Sequence, residues 1–415
     1  MRVLSLVVSV RFRGATVSAE SANVQGQERG RMRTGIVGAA LAVLGGIAVA
    51  TGLLPLADAV VLWDRVWPIL LFVVAITIVT ELAAEAGVFT AVAQQTARWG
   101  RGRAWALWLL VVLVAALSTV FLSLDTTAVL LTPVVIVLAR HAGLDPLPFA
   151  LTTVWMANAG SLLLPVSNLT NLLAQHAMGN PSPVQFATLL LIPAPVAMTV
   201  PMVVVFILSR RSLLVRYETG EVETIADPVL FWISAGVVVA LIPMLVSGLP
   251  VWLPTCAAAV LLAAVFLVRN RSALRFGLVP WQLLLLAAGL FLFIEALQAN
   301  GLGTLLARVS GDGDSPLALL RLSLTGMVGA NAIDNLPAYL ALEPVAGSPV
   351  RLAALLIGVN AGPLITPWAS LATLLWHQRL TSFGAGISWW RYALLGAMVA
   401  PVTVVLATLA LAATG

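Results

Sequence analysis

The sequence predicts an all-α polytopic membrane protein made of two inverted repeats. Each repeat carries a re-entrant hairpin and a broken transmembrane helix, with about nine full spans plus two hairpins in all. Three observations predict it. Of 415 residues, 60% are hydrophobic and 9% charged, where a soluble domain has about 25% charged residues, and the mean hydropathy is +1.03. Apolar stretches close to the roughly 20 residues a span needs recur along the whole chain. Two stretches of the first half also reappear in the second at constant offsets.

In chain order, the first 33 residues hold a short apolar run followed by Arg11, Arg13 and a polar stretch ending in Arg29, Arg31 and Arg33. That run is short for a signal peptide and has no clear cleavage site. Residues 1–33 are expected to be a disordered cytoplasmic tail, or to precede a true start at Met32. Apolar segments then occur at 35–56, 66–86, 104–122, 126–139, 151–173 and 184–209. A charged linker spans 210–227, and the second half has segments at 229–247, 251–268, 279–297, 316–344, 352–375 and 389–411.

Trp67, Glu81 and Gly87 match Trp281, Glu295 and Gly301 at one offset. Asn158-Ala-Gly-Ser-Leu-Leu-Leu-Pro165 matches Asn360-Ala-Gly-Pro-Leu-Ile-Thr-Pro367 at another, continuing through Leu169/Leu371, Leu172/Leu374 and Leu173/Leu375. Trp, Glu, Asn and Pro are not generic apolar choices, so the match reads as an internal duplication. Residues 34–209 and 249–415 are the expected repeats, with 210–248 as cytoplasmic linker and unpaired helix.

The arginines set orientation through the positive-inside rule. Arg29, Arg31 and Arg33 place the N-terminus in the cytoplasm. Arg98, Arg101, Arg103 and Arg140 share that side, so 104–139 enters and leaves by one face, as a hairpin with its tip near Ser123-Leu-Asp-Thr126. The helix at 229–247 has no counterpart and inverts the rest of the chain. Arg269, Arg271, Arg275, Arg379 and Arg391 then fall inside, the hairpin at 316–344 enters from outside, and the C-terminus is extracytoplasmic. Arg308 and Arg321 lie on the outer face against the rule.

Composition also excludes chemistry. The chain has no lysine, which removes Schiff-base catalysis and a Walker P-loop. Cys256 is the single cysteine, so there is no intrachain disulfide and no thiolate metal cluster. The basic balance, +5 at pH 7, is spent on topology and does not indicate nucleic acid. No enzyme and no cofactor are expected.

Candidate site residues cluster at four places. Proline interrupts a helix, and open backbone at membrane depth survives only where it lines a cavity or is buried in protein. The first break gathers Asn158, Ser161, Ser167, Asn168 and Asn171, and the second Asn360, Thr366, Ser370 and Thr373. A kink glued by Ser and Asn explains one such segment. Two in matching positions point to a solute site between half-helix ends. The hairpin tips add Asp125 and Thr126, and Asn331, Asp334 and Asn335. A carboxylate at the bilayer centre costs about 3 kcal/mol on insertion scales. Asp125 and Asp334 are therefore read as coupling residues, with helix capping as the bland alternative. Glu81 and Glu295 read as interfacial, and His141, His176 and His377 as solvated.

At these residues the chain resembles the arsenite/antimonite efflux permease family, as a divergent member, within the ion-transporter superfamily of dicarboxylate symporters and sodium/proton antiporters. The resemblance covers nearly all of 35–411. Its most specific pieces are Pro165-Val-Ser-Asn-Leu-Thr-Asn-Leu-Leu173, Gly362-Pro-Leu-Ile-Thr-Pro-Trp-Ala-Ser-Leu-Ala-Thr-Leu-Leu-Trp376, Arg98-Trp-Gly-Arg101, the tip at Asp125 leading to Leu131-Thr-Pro133, and Asp334-Asn-Leu-Pro337. It implies an elevator-like mobile domain that extrudes the neutral trihydroxide of arsenic or antimony across the cytoplasmic membrane, driven by protons. For some relatives it implies a separate ATPase subunit, and for many superfamily members a homodimer. The chain departs from the family pattern at Asn158 and Asn360, where acids are usual, at Leu364, where lysine is usual, and at Leu124, where the tip usually has Asn. The alternatives are transport of a dicarboxylate or citrate, or sodium/proton exchange, on the same fold. A membrane enzyme ranks last, since no histidine lies near the breaks.

Overall fold

The computed structural model describes residues 35–218 and 225–414, so the expected tail at 1–33 lies outside the described residues. The described part is helical, apart from an isolated bridge between Arg103 and Arg216. Nine of the described helices are long and apolar enough to cross a bilayer.

The first repeat opens with α1 (Gly35–Ala50) and the 30-residue α2 (Leu56–Glu85). At about 1.5 Å per residue α2 spans roughly 45 Å, longer than a hydrocarbon core and consistent with tilt. Helix α2 begins ten residues before the apolar segment at 66, because Asp58, Asp64 and Arg65 sit inside a continuous helix. An amphipathic helix α3 (Val88–Trp99) comes next, then the hairpin limbs α4 (Ala104–Phe121) and α5 (Leu124–His141). The first broken helix is α6 (Leu147–Ala159) and α7 (Leu169–Ala177). The expected single segment at 184–209 is two helices, α8 (Pro183–Leu190) and α9 (Pro193–Leu213), because prolines start both.

After the unpaired α10 (Pro228–Val246) the order repeats. Helix α11 (Trp252–Arg269) answers α1, and α12 (Trp281–Ala299) answers α2. The amphipathic α13 (Leu302–Ser310) is followed by hairpin limbs α14 (Pro316–Ile333) and α15 (Asn335–Ala346). The second broken helix is α16 (Pro349–Ala361) and α17 (Leu371–Ser382), and α18 (Trp389–Thr414) closes the chain.

The repeated glycines now have a physical role. Gly87 and Gly301 cap α3 and α13 with φ of 83° and 98°, a conformation that glycine adopts without steric cost. Each lets a spanning helix turn into a short surface helix. Neither surface helix is apolar enough to register as a segment in the sequence.

Arg321 is engaged at the end of a helix. Its guanidinium donates to the carbonyls of Val309 (2.6 Å) and Arg308 (2.6 Å), closing the C-terminus of α13. Buried Arg351 does the same for the next loop, reaching Gly311 (2.5 Å), Gly313 (2.8 Å) and Ala346 (2.6 Å). Cations at helix C-termini are favoured by the helix dipole.

Helix α18 packs directly on the second break. A Cβ at Gly396 would stand 1.8 Å from the Leu364 carbonyl oxygen, whereas one at Gly46 of α1 would meet nothing within 4 Å. Overpacking of this kind costs about 1–3 kcal/mol. Gly396→Ala is expected to lower the melting temperature of the detergent-solubilised protein, and Gly46→Ala to leave it unchanged, as read by intrinsic fluorescence.

Candidate functional site

The two broken helices interrupt at matching positions and with matching backbone. Asn168 (φ −152°, ψ 146°) and Ser370 (φ −155°, ψ 136°) are both extended, and each sits at the N-cap of the second half-helix. The Asn168 carboxamide accepts from the Thr170 amide (3.3 Å).

The breaks are joined to each other by amides. Asn360 accepts from Asn168 Nδ2 (3.0 Å) and Thr170 Oγ1 (2.8 Å), and donates to Asn171 Oδ1 (2.8 Å). Asn171 in turn donates to the carbonyls of Ser161 (2.7 Å) and Leu164 (2.9 Å), which the break would leave open. Asn158 donates to Val154 (2.9 Å) and Thr373 (3.4 Å), and Ser161 to the Asn158 carbonyl (2.8 Å). Ser167 bonds back to Leu164. Asn158, Ser161, Ser167, Asn171, Asn360 and Thr373 are all buried. They sit behind the site and hold the break together. Thr170 was not singled out in the sequence, because threonine in an apolar helix carries no signal of its own.

Asn331 performs the same service for the second hairpin. Its side chain donates to Gly362 (2.8 Å) and accepts from the amides of Ile365 and Thr366 (3.1 Å each). Its carbonyl takes Thr366 Oγ1 (2.7 Å) and Trp368 Nε1 (2.9 Å). The tip of hairpin two is thereby fastened to the second break.

Both tips are strained at equivalent positions. Ser123 has φ 135° and ψ 164°, and Asp334 has φ 99° and ψ 153°. This region belongs almost entirely to glycine and costs of order 1–3 kcal/mol for other residues, a cost that clusters at functional sites. Ser123 caps α5 by accepting from the Thr126 amide (3.3 Å), and Asp334 caps α15 by accepting from the Leu336 amide (3.0 Å). Capping thus accounts for Asp334. It does not account for Asp125, which has no hydrogen bond or ion pair among the described residues.

A cavity of about 90 Å³ lies where these elements meet. Ser123 and Asp125 reach it from one tip, Asp334 and Asn335 from the other, and Asn168 and Ser370 from the starts of α7 and α17. Two helix N-termini therefore face one space. The Ser370 hydroxyl is buried without a partner. No basic side chain lines this cavity.

Helices α2 and α12 run past it in opposite directions, through Phe72–Thr77 and Leu283–Leu290. A second cavity, about 380 Å³, touches α2 at Thr77–Glu81 and α12 at Gln282 and Leu283. It shares Thr77, Ser123, Asp125, Leu283 and Leu371 with the central cavity, and it includes Thr126. A third, about 650 Å³, touches α2 at Leu62 and Arg65 and α12 at Phe291–Glu295. It shares no lining residue with the central cavity. The central cavity thus shares lining residues with the cavity at the end bearing Glu81 and Arg379, and none with the cavity at the end bearing Arg65 and Glu295. Equivalent helices that run antiparallel past one site are what an inverted repeat requires.

His377, expected to be solvated, is half-buried. It stacks on Trp389 with ring centroids 3.8 Å apart and bonds the Ile387 carbonyl (3.1 Å).

The chain is similar to known membrane transporters. A profile of the family described as citrate transporter matches residues 28–373. An arsenical pump membrane protein of Escherichia coli strain K12 is 31% identical over 404 residues, covering 89% of this chain and 92% of that protein. An arsenical pump membrane protein of Yersinia enterocolitica is 29% identical over 403 residues, covering 90% and 93%. Among solved structures, the Alcanivorax borkumensis YdaH transporter superposes with a TM-score of 0.57 over 84% of each chain, at 14% identity. At that identity the likeness is one of fold.

Removing Asn360 strands the Thr170 hydroxyl and the Asn171 carboxamide oxygen, while Asn168 keeps Ser161; each group costs about 1–3 kcal/mol when buried unsatisfied. Asn360→Ala is expected to lower thermal stability in detergent by more than Asn335→Ala, whose carboxamide faces the cavity. Equal stability of the two variants would show that the amide crossing holds nothing.

Proposed function

The chain belongs to the citrate transporter family, with arsenical pump membrane proteins as relatives across most of its length, and from that membership we propose proton-coupled efflux of arsenite and antimonite. The protein is a multi-pass membrane transporter and not an enzyme.

One observation carries the substrate reading: the central cavity is small, holds two aspartates and has no basic side chain. A compact trihydroxide suits that space. Its O–H groups donate to Asp125, Asp334 and Asn335, and its oxygens accept from Ser370 and the carboxamides. A multiply charged citrate would instead meet two acidic side chains and no basic one, with only the two helix N-termini to offset its charge.

The positive-inside rule puts the end bearing Arg275 and Arg379 in the cytoplasm. An exporter loads from that side. In this account the hairpins and broken helices move as one body along α1, α2, α11 and α12. Residues 34–209 and 249–415 are the two repeats, joined by 210–248, in the cytoplasmic membrane with the C-terminus outside. Asp125 carries the coupling proton: it lines both the central cavity and the one adjoining it and is neither capped nor paired. A homodimer belongs to the same reading, as does a separate ATPase subunit under some conditions.

Sodium/proton exchange is the second reading. Two carboxylates with Asn335 and Ser370 offer an oxygen-rich set of the kind hard cations take.

In cells lacking their own efflux system, expression is expected to lower arsenite accumulation. Asp125→Asn is expected to return accumulation to that of cells without the protein, at unchanged membrane abundance. Unchanged accumulation with the wild-type chain, alongside sodium-dependent proton movement in vesicles, would favour the second reading instead.

A further inference from the structure

At the end bearing Glu295, one guanidinium ties three helices together. Arg65 lies near the start of α2. It donates to Glu343 of α15 in an ion pair, and to the Leu173 carbonyl of α7 at 3.2 Å. A single side chain on a long spanning helix therefore grips both hairpin two and the first broken helix. The paired side chains are 20% and 9% exposed. Gln298, at the matching end of α12, adds a bond to the Ala341 carbonyl in the same hairpin limb (2.7 Å). At the opposite end, the same two spanning helices are parted from α5 and α17 by the cavity of about 380 Å³.

Two further details indicate that this contact is made to be exchanged. Arg65 Nε is buried without a partner. Glu295 of α12 lines the same cavity of about 650 Å³ as Arg65 and Glu343. The guanidinium thus has a spare donor, and a second carboxylate lies close by on an element that does not belong to the hairpin.

We propose that Arg65 and Glu343 form the outer gate of the transporter, and that Glu295 is the acceptor that takes Arg65 when hairpin two withdraws. Breaking a largely buried ion pair with no substitute would strand a charge at low dielectric, which is strongly disfavoured. Handing Arg65 from Glu343 to Glu295 keeps it paired in both states. The two states then lie close enough in free energy for a bound solute or proton to bias the exchange. Arg65, Glu343 and Glu295 act as positioning residues in this scheme and touch no solute.

The test uses the full chain with Cys256→Ser and a reporter, Leu290→Cys, which lines the central cavity. A membrane-impermeant maleimide is applied from the side that bears Arg65. Glu343→Gln and Arg65→Gln are each expected to raise the labelling rate by about tenfold or more, as the open population grows. The charge swap, Arg65→Glu with Glu343→Arg, is expected to return the rate close to that of the parent. Glu295→Gln is expected to label more slowly than the parent, because the open state loses its acceptor. Unchanged labelling in both single variants, or a swap that labels as fast as they do, would overturn the gate. A Glu295→Gln variant that labels like the parent would remove Glu295 from the exchange. Labelling needs no transported solute, so the gate stands or falls separately from the metalloid reading.

Discussion

Two helices broken at membrane depth leave carbonyl and amide groups for side chains to satisfy: Asn171 serves the first break, Asn331 the second, and Asn360 ties the two breaks together. It binds Asn168, Thr170 and Asn171 together, and Asn171 then reaches back to the carbonyls of Ser161 and Leu164. The consequences run outward. Holding the breaks side by side brings the starts of α7 and α17 to one space. Asn331 docks hairpin two on the second break, and the strained Ser123 and Asp334 aim the two tips at the same point. The cavity is defined by these fixings, and most of the amides that make them are not exposed to it.

That division clarifies what the sequence can and cannot convey. The duplication was legible because Trp, Glu, Asn and Pro recur at constant offsets, and the breaks because proline and glycine interrupt apolar runs. The tips were legible because carboxylates are costly there. Which polar residue faces the solute was not legible. Asn158, Asn171 and Asn360 look the same in sequence as Asn335, yet Asn171 and Asn360 bond each other, and Asn158 donates to Val154 and Thr373. The surface helices α3 and α13 were missed because amphipathic segments of 12 and 9 residues do not register as spans. Only the glycines before them marked the turn. The pairing of Arg65 with Glu343 joins positions far apart in the chain, in helices whose other residues are mostly apolar, so neither residue named its partner.

The charge pattern of the three cavities gives the transport account its shape. Along α2 and α12 the molecule presents a cavity that adjoins the centre, a small acidic centre, and a separate cavity lined by the Arg65–Glu343 ion pair. Asp125 stands at the junction of the first two, unpaired, and the site has no cation to neutralise an anionic cargo. The proposed exchange of an uncharged solute for protons rests on this arrangement. The departures at Asn158, Asn360 and Leu364 concern groups that the structure buries behind the cavity. They alter the support of the site and leave its acidic lining intact.

The most direct test is a solute panel on purified protein in proteoliposomes containing a pH-sensitive dye. The account predicts that arsenite and antimonite gradients each drive a counterflow of protons, while citrate, succinate and sodium gradients drive none. Proton movement driven by citrate or sodium, with arsenite silent, would contradict it.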